Sequence, residues 1–86
     1  MEIEDYRNQI DEIDRQILGL LKNRALAVQA IAKVKKAHSL PVFDPDREER
    51  ILDVLQANNP GPLKKEAVRR IFSSIIEEHR KLEEES

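Results

Sequence analysis

The sequence predicts an all-α fold, three helices in a chain too elongated to bury its own longest helix. Three observations carry that prediction. Apolar side chains recur in heptad register through the N-terminal half, at Ile3, Tyr6, Ile10, Ile13, Ile17 and Leu20 and again at Ala27, Ile31 and Val34. With 37 % charged residues, 3 % aromatics and two glycines, the composition is that of a solvated helical bundle and not of a sheet protein. Turn chemistry is confined to two short segments, "HSLPVFDP" and "NNPGP", which leave long stretches without a helix breaker.

Taken in order, the first helix spans about Asp5 to about His38, with no proline and with Gly19 as its one tolerated glycine. Pro41 disfavours helix in the residue before it, and the chain restarts with Asp44 as N-cap and Pro45 in the first helical position. The second helix then runs from Pro45 to about Ala57. After the "NNPGP" turn, a third helix covers about Leu63 to about Glu84 and repeats Val68, Ile71, Phe72, Ile75, Ile76 and Leu82 at helical spacing. Residues 1–86 are expected to form a single domain.

Length then bears on assembly. A first helix of roughly 33 residues is about 50 Å long, whereas a compact chain of this size has a radius of gyration of about 12 Å. Its apolar stripe reaches both ends, so a second copy of the chain is the simplest cover for the overhang. A homodimer is therefore expected.

Composition also narrows the function. A net charge of −2 argues against nucleic-acid binding, which needs an excess of Lys and Arg on one surface. The absence of cysteine leaves no thiolate chemistry. No apolar run approaches a membrane span and the N-terminus is acidic, so a cytoplasmic protein without membrane partners is expected.

The informative residues are the ionisable ones on apolar faces. Arg24 takes a core position of the heptad series, and steps of four, three and four relate it to Val28, Ile31 and Lys35. Arg47 stands one turn before Ile51, where a capping box would have placed Glu. Glu83 continues the stripe of Phe72 and Ile76, with His79 one turn before it. Singly, each has an ordinary explanation: an arginine that snorkels or fixes helix register, a lysine at a helix end, polar residues near a frayed terminus. Together, two arginines and a lysine facing at most one or two carboxylates leave surplus positive charge inside a bundle, which an anion offsets. Because Arg pairs bidentately with carboxylates, a small di-acid suits the place. Paired histidines at metal spacing, a glycine-rich phosphate loop and a serine beside a base are all missing, so no metal or other cofactor is expected. Any reaction there depends on electrostatics and positioning.

The run "YRNQIDEIDRQILGLLKNRALAVQAIAKVK", followed by "LPVFDPDREERIL" and "RRIFSSIIEEHRKLE", resembles the all-helical class of chorismate mutases. The features in common are a basic residue before I-D-x-I-D, then L-L-x-x-R, a lysine eleven residues on, and D-x-x-R-E opening the second helix. The resemblance implies an intertwined homodimer, a six-helix bundle with two active sites built from both chains, that rearranges chorismate to prephenate. Carried over by position, Arg7 comes from the partner protomer to bind one substrate carboxylate and Arg24 binds the other. Lys35 donates to the ether oxygen of the breaking bond. Asp44, Arg47 and Glu48 match the group opening the second helix, with Glu48 holding the ring hydroxyl. Glu83 stands where the family carries Gln or Glu, either of which can donate to the ether oxygen, Glu only when protonated. His79 replaces a small or polar residue at a substrate-binding position. Two other readings remain, an isochorismate pyruvate-lyase of the same fold and a dimerisation module whose arginines fix register. Both a free enzyme and a domain of a larger fusion fit the sequence.

Overall fold

In the computed structural model, which describes residues 1–86, the chain consists of α1 (Glu2–Ala37), α2 (Pro45–Ala57) and α3 (Lys65–Glu85), with no strand. The class expected from the sequence is the one observed. α1 begins before Asp5 because Glu2, Glu4 and Asp5 in its first turn complement the helix dipole. It stops at Ala37, where a Schellman motif closes it: the amide of Ser39 donates to the Lys36 carbonyl at 3.3 Å and that of Leu40 to the Lys35 carbonyl at 2.8 Å. Ser39 adopts a left-handed φ of 54° to make this turn.

α2 starts as its sequence signals require. The Asp44 carboxylate accepts from the Arg47 amide at 3.1 Å, and Pro45 occupies the first turn where no amide is needed. α3 starts at Lys65, two residues later than Leu63, because the intervening turn is held by a side chain. Asn59 donates to the Leu63 carbonyl at 2.6 Å and accepts from the Gly61 amide at 3.0 Å, and Gly61 has a φ of 76° that suits glycine.

α3 packs on both other helices, whereas α1 and α2 do not pack on each other. Arg69 on α3 joins the α2 surface by pairing with Glu49 and by donating to Gln56 at 2.8 Å, and Gln56 donates in turn to the Lys65 carbonyl at 3.0 Å. The inward contacts centre on Ala32, Leu52, Val68 and Ile76, the four buried apolar residues. No larger core forms. The chain measures 57 × 24 × 16 Å with a radius of gyration of 16.0 Å, well beyond the compact value.

The excess length is the first half of α1. Every residue from 1 to 20 is exposed, and Ile3, Tyr6, Ile10, Ile13, Ile17, Leu18 and Leu20 are each at least 47 % open to solvent. A continuous apolar stripe of that size on a free surface is uncommon for a chain that works alone. No helix is long and apolar enough to cross a membrane.

Candidate functional site

Where α1 and α2 fail to meet, α3 forms the floor of a cavity of about 360 Å³. That is within the size range of small-ligand sites. Arg24, Val28, Ile31 and Lys35 reach it from α1, Asp44, Arg47, Glu48 and Ile51 from the start of α2, and Ile76, His79, Arg80 and Glu83 from α3. The α1 stripe follows the steps of four and three read in the sequence, so the residue that interrupts the heptad series lines the cavity. Seven of the eight expected site residues meet here.

Arg24 donates from Nη1 to His79 Nδ1 at 2.5 Å. A guanidinium cannot accept, so Nδ1 carries no proton and the neutral ring holds its hydrogen on Nε2. Burial, together with the charge of Arg24, pushes the His79 pKa below the ordinary histidine value. Burial and then the nearby Arg47 charge likewise lower that of Arg24. Neither arginine forms an ion pair within the chain.

Lys35 is fixed more tightly. Its Nζ donates to Glu83 at 2.9 Å and to the Val42 carbonyl at 2.9 Å. The Schellman turn after Ala37 brings Val42 back over the lysine, so the helix stop and the site are one piece of local structure. One of the three ammonium hydrogens remains for a ligand. Glu83 is the one buried charged residue, and this pairing accounts for it.

Glu48 Oε2 lies 3.5 Å from Arg80 Nε, and the Arg80 guanidinium stacks 4.7 Å from the centre of the Phe43 ring. Arg80 was not among the residues expected from the sequence. The signal was present, since Ile76, His79, Arg80 and Glu83 follow helical steps of three, one and three along one face. Four basic residues meet the three carboxylates Asp44, Glu48 and Glu83, all three among the residues that the resemblance implies and more than the one or two that the apolar faces alone suggest. Two of those carboxylates are matched by Lys35 and Arg80 and the third, Asp44, caps α2, which leaves Arg24 and Arg47 as the cavity's cations without an ion pair.

Arg7 is elsewhere. It is exposed and pairs with Glu4 at 2.7 Å. Arg24 lies seventeen helical steps further along α1, about 25 Å along the axis, too far for the Arg7 side chain to enter its own chain's cavity.

Residues 6–84 match the sequence pattern of the family described as chorismate mutase type II. Over 73 residues the chain is 41 % identical to a bifunctional chorismate mutase/prephenate dehydratase of Neisseria gonorrhoeae, a match covering 85 % of this chain and 20 % of that protein. It is 39 % identical over 49 residues to a chorismate mutase of Methanocaldococcus jannaschii, covering 57 % of this chain and 50 % of the relative. Among solved structures, a chorismate mutase of Thermus thermophilus, in its form II structure, superposes with a TM-score of 0.96 at 39 % identity, over 98 % of this chain and 96 % of that one. The chain spans about a fifth of the length of the bifunctional relatives it matches.

Proposed function

We propose that this chain, which belongs to the chorismate mutase type II family, rearranges chorismate to prephenate in the cavity between its three helices. The observation that carries the proposal is the pair of arginines, Arg24 and Arg47, that line the cavity without a carboxylate partner. Chorismate is a dianion, and its two carboxylates offset that surplus.

The reaction is unimolecular and needs no nucleophile, base or metal. In its transition state the ether oxygen gains negative charge while the ring fragment loses electron density, so fixed cations favour that state over the ground state. Lys35, held by Glu83 and Val42, directs its remaining N–H to the ether oxygen. Arg24, itself steadied by His79, binds one carboxylate, and Arg47 adds positive potential beside it. Glu48 accepts from the ring hydroxyl at the α2 end, next to Asp44. Holding the flexible enolpyruvyl arm over the ring adds an orientation gain. An acceleration of about 10⁶-fold, roughly 8 kcal/mol, is within reach of such means.

The second carboxylate falls to the partner's Arg7. Support for a homodimer comes from the bare stripe of α1 and from the distance that keeps Arg7 out of its own cavity. The cytoplasm is the proposed setting, and no cofactor takes part.

Incubating the purified chain with chorismate and following loss of its ultraviolet absorbance tests the reading. Prephenate as product is the expected result. Pyruvate released from isochorismate, with chorismate untouched, assigns the cavity to a lyase, and inertness toward both leaves a dimerisation module.

A further inference from the structure

We propose that Arg80 is a positioning residue that neutralises and holds Glu48, so that an acceptor carboxylate can stand in a cavity built to receive a dianion. The inference rests on reading the cavity as a chorismate site and goes beyond it in assigning a role to a residue on the α3 wall. Its starting point is an electrostatic conflict. A carboxylate suits a ring hydroxyl because it accepts strongly. The same carboxylate repels the two carboxylates of the ligand, in a site screened less than bulk water.

Arg80 resolves the conflict by its placement. Its Nε is buried without a hydrogen-bond partner and stands 3.5 Å from Glu48 Oε2, close enough to offset the charge yet outside the alignment of a hydrogen bond. Glu48 therefore keeps its acceptor lone pairs for the ligand. The Arg80 guanidinium carbon lies 4.7 Å from the centre of the Phe43 ring, a contact that favours one orientation of the planar cation. Phe43 immediately precedes the N-cap Asp44, so the stack also ties the start of α2 to α3. Arginine suits this place better than lysine, since a planar cation stacks on a ring while presenting charge at its edge. Lys35 with Glu83 is the other charge-neutral pair of the cavity, and it differs in making a true hydrogen bond of 2.9 Å.

Unneutralised, Glu48 opposes the net dianionic charge, which is the same in the ground and transition states, while the redistribution of charge within the ligand is centred on the ether oxygen that Lys35 serves. Loss of Arg80 is thus chiefly a loss of uniform binding. Arg80→Gln is expected to raise KM about tenfold with kcat changed less than about twofold. Arg80→Lys restores most of the KM, and Arg80→Met, which keeps the apolar stem against Phe43, repeats the KM rise if the Gln variant folds poorly. In a Glu48→Gln background the same Arg80→Gln change adds nothing further to KM, since no carboxylate remains to neutralise. A merely structural role predicts the opposite pattern, a lowered melting temperature and reduced kcat with KM unaltered. An unchanged KM in Arg80→Gln, or a KM rise that persists without the Glu48 charge, overturns the assignment while leaving the mutase reading intact. An inactive wild type overturns both.

Discussion

The two halves of α1 share one heptad pattern and meet different fates. From Glu2 to Leu20 the stripe is apolar, unbroken and exposed along its whole length. From Leu21 to Ala37 it carries Arg24 and Lys35 and faces the cavity over α3, with Ala32 buried among neighbours. The contrast separates two uses of the same periodicity. An apolar stripe without a partner suits association, whereas a stripe interrupted by cations at cavity-facing positions suits the binding of an anion, which is the use proposed for each half. Surface ion pairs do not blur the distinction, because the Glu4–Arg7 and Glu12–Arg15 pairs of the first half are short-range, exposed and worth little.

The largest effect is expected from breaking the bare half. Replacing Ile13 and Ile17 together by Glu places charges where the proposed dimer buries isoleucines, each worth about 1.5–3 kcal/mol of burial per copy, with a further penalty for unpaired charge. Light scattering should show loss of the dimer, and chorismate turnover should fall to near background although no cavity residue is altered. A variant that stays dimeric and fully active would mean that the stripe is not the interface.

A smaller but more specific effect joins the two halves. Arg7→Ala and Arg24→Ala should each reduce kcat/KM by roughly 10²–10³-fold, the scale of a lost charge-stabilising donor. If Arg7 serves the partner's cavity, co-expressing the two variants gives random pairing in which about half the dimers are hybrids with one intact site, so about a quarter of wild-type activity returns. Hybrids isolated without recovered activity would mean that Arg7 and Arg24 act from the same chain or that Arg7 is not in the site.

How much of this was legible in the sequence depended on whether the signal was local. The helices follow from short-range rules, so Asp44 and Pro45 marked the start of α2 to the residue. The start of α3 did not follow, because Asn59 holds Leu63 in the turn and no local pattern marks that side-chain bond. Arg24 and Lys35 were legible as departures from a periodic series, and their role as site residues remains a proposal. Arg80 was missed because it follows His79 in a charged run that resembles an ordinary solvated face. Its stacking on Phe43 depends on where the connection between α1 and α2 returns, a long-range matter that periodicity does not encode. The Lys35 contact with Val42 was hidden for the same reason.

The smallest expected effect sharpens the cavity half alone and concerns His79. Around it stand Arg24 and Lys35 from α1, Asp44, Arg47 and Glu48 from α2, and Arg80 and Glu83 on its own helix. The pKa of His79 is depressed in the folded chain, chiefly by burial and then by Arg24, so the native state binds fewer protons than the unfolded state just below the ordinary histidine value. The stability that the neutral ring contributes is therefore complete above about pH 6.5 and declines as pH falls from there through the depressed pKa. Protonation abolishes the acceptor for Arg24 and adds a cation beside that guanidinium. His79→Asn keeps an acceptor that does not titrate. Melting temperatures followed from pH 7 downward should fall more steeply for wild type than for the variant, by a few degrees at most, and the difference between the two curves cancels the carboxylates common to both. Saturating a non-reacting dicarboxylate should shrink that difference, because a bound dianion favours the protonated ring and opposes the depression. Parallel curves in the free protein would mean that His79 does not feel the cationic cavity, and the distinction between the two halves of α1 would then lie in shape alone.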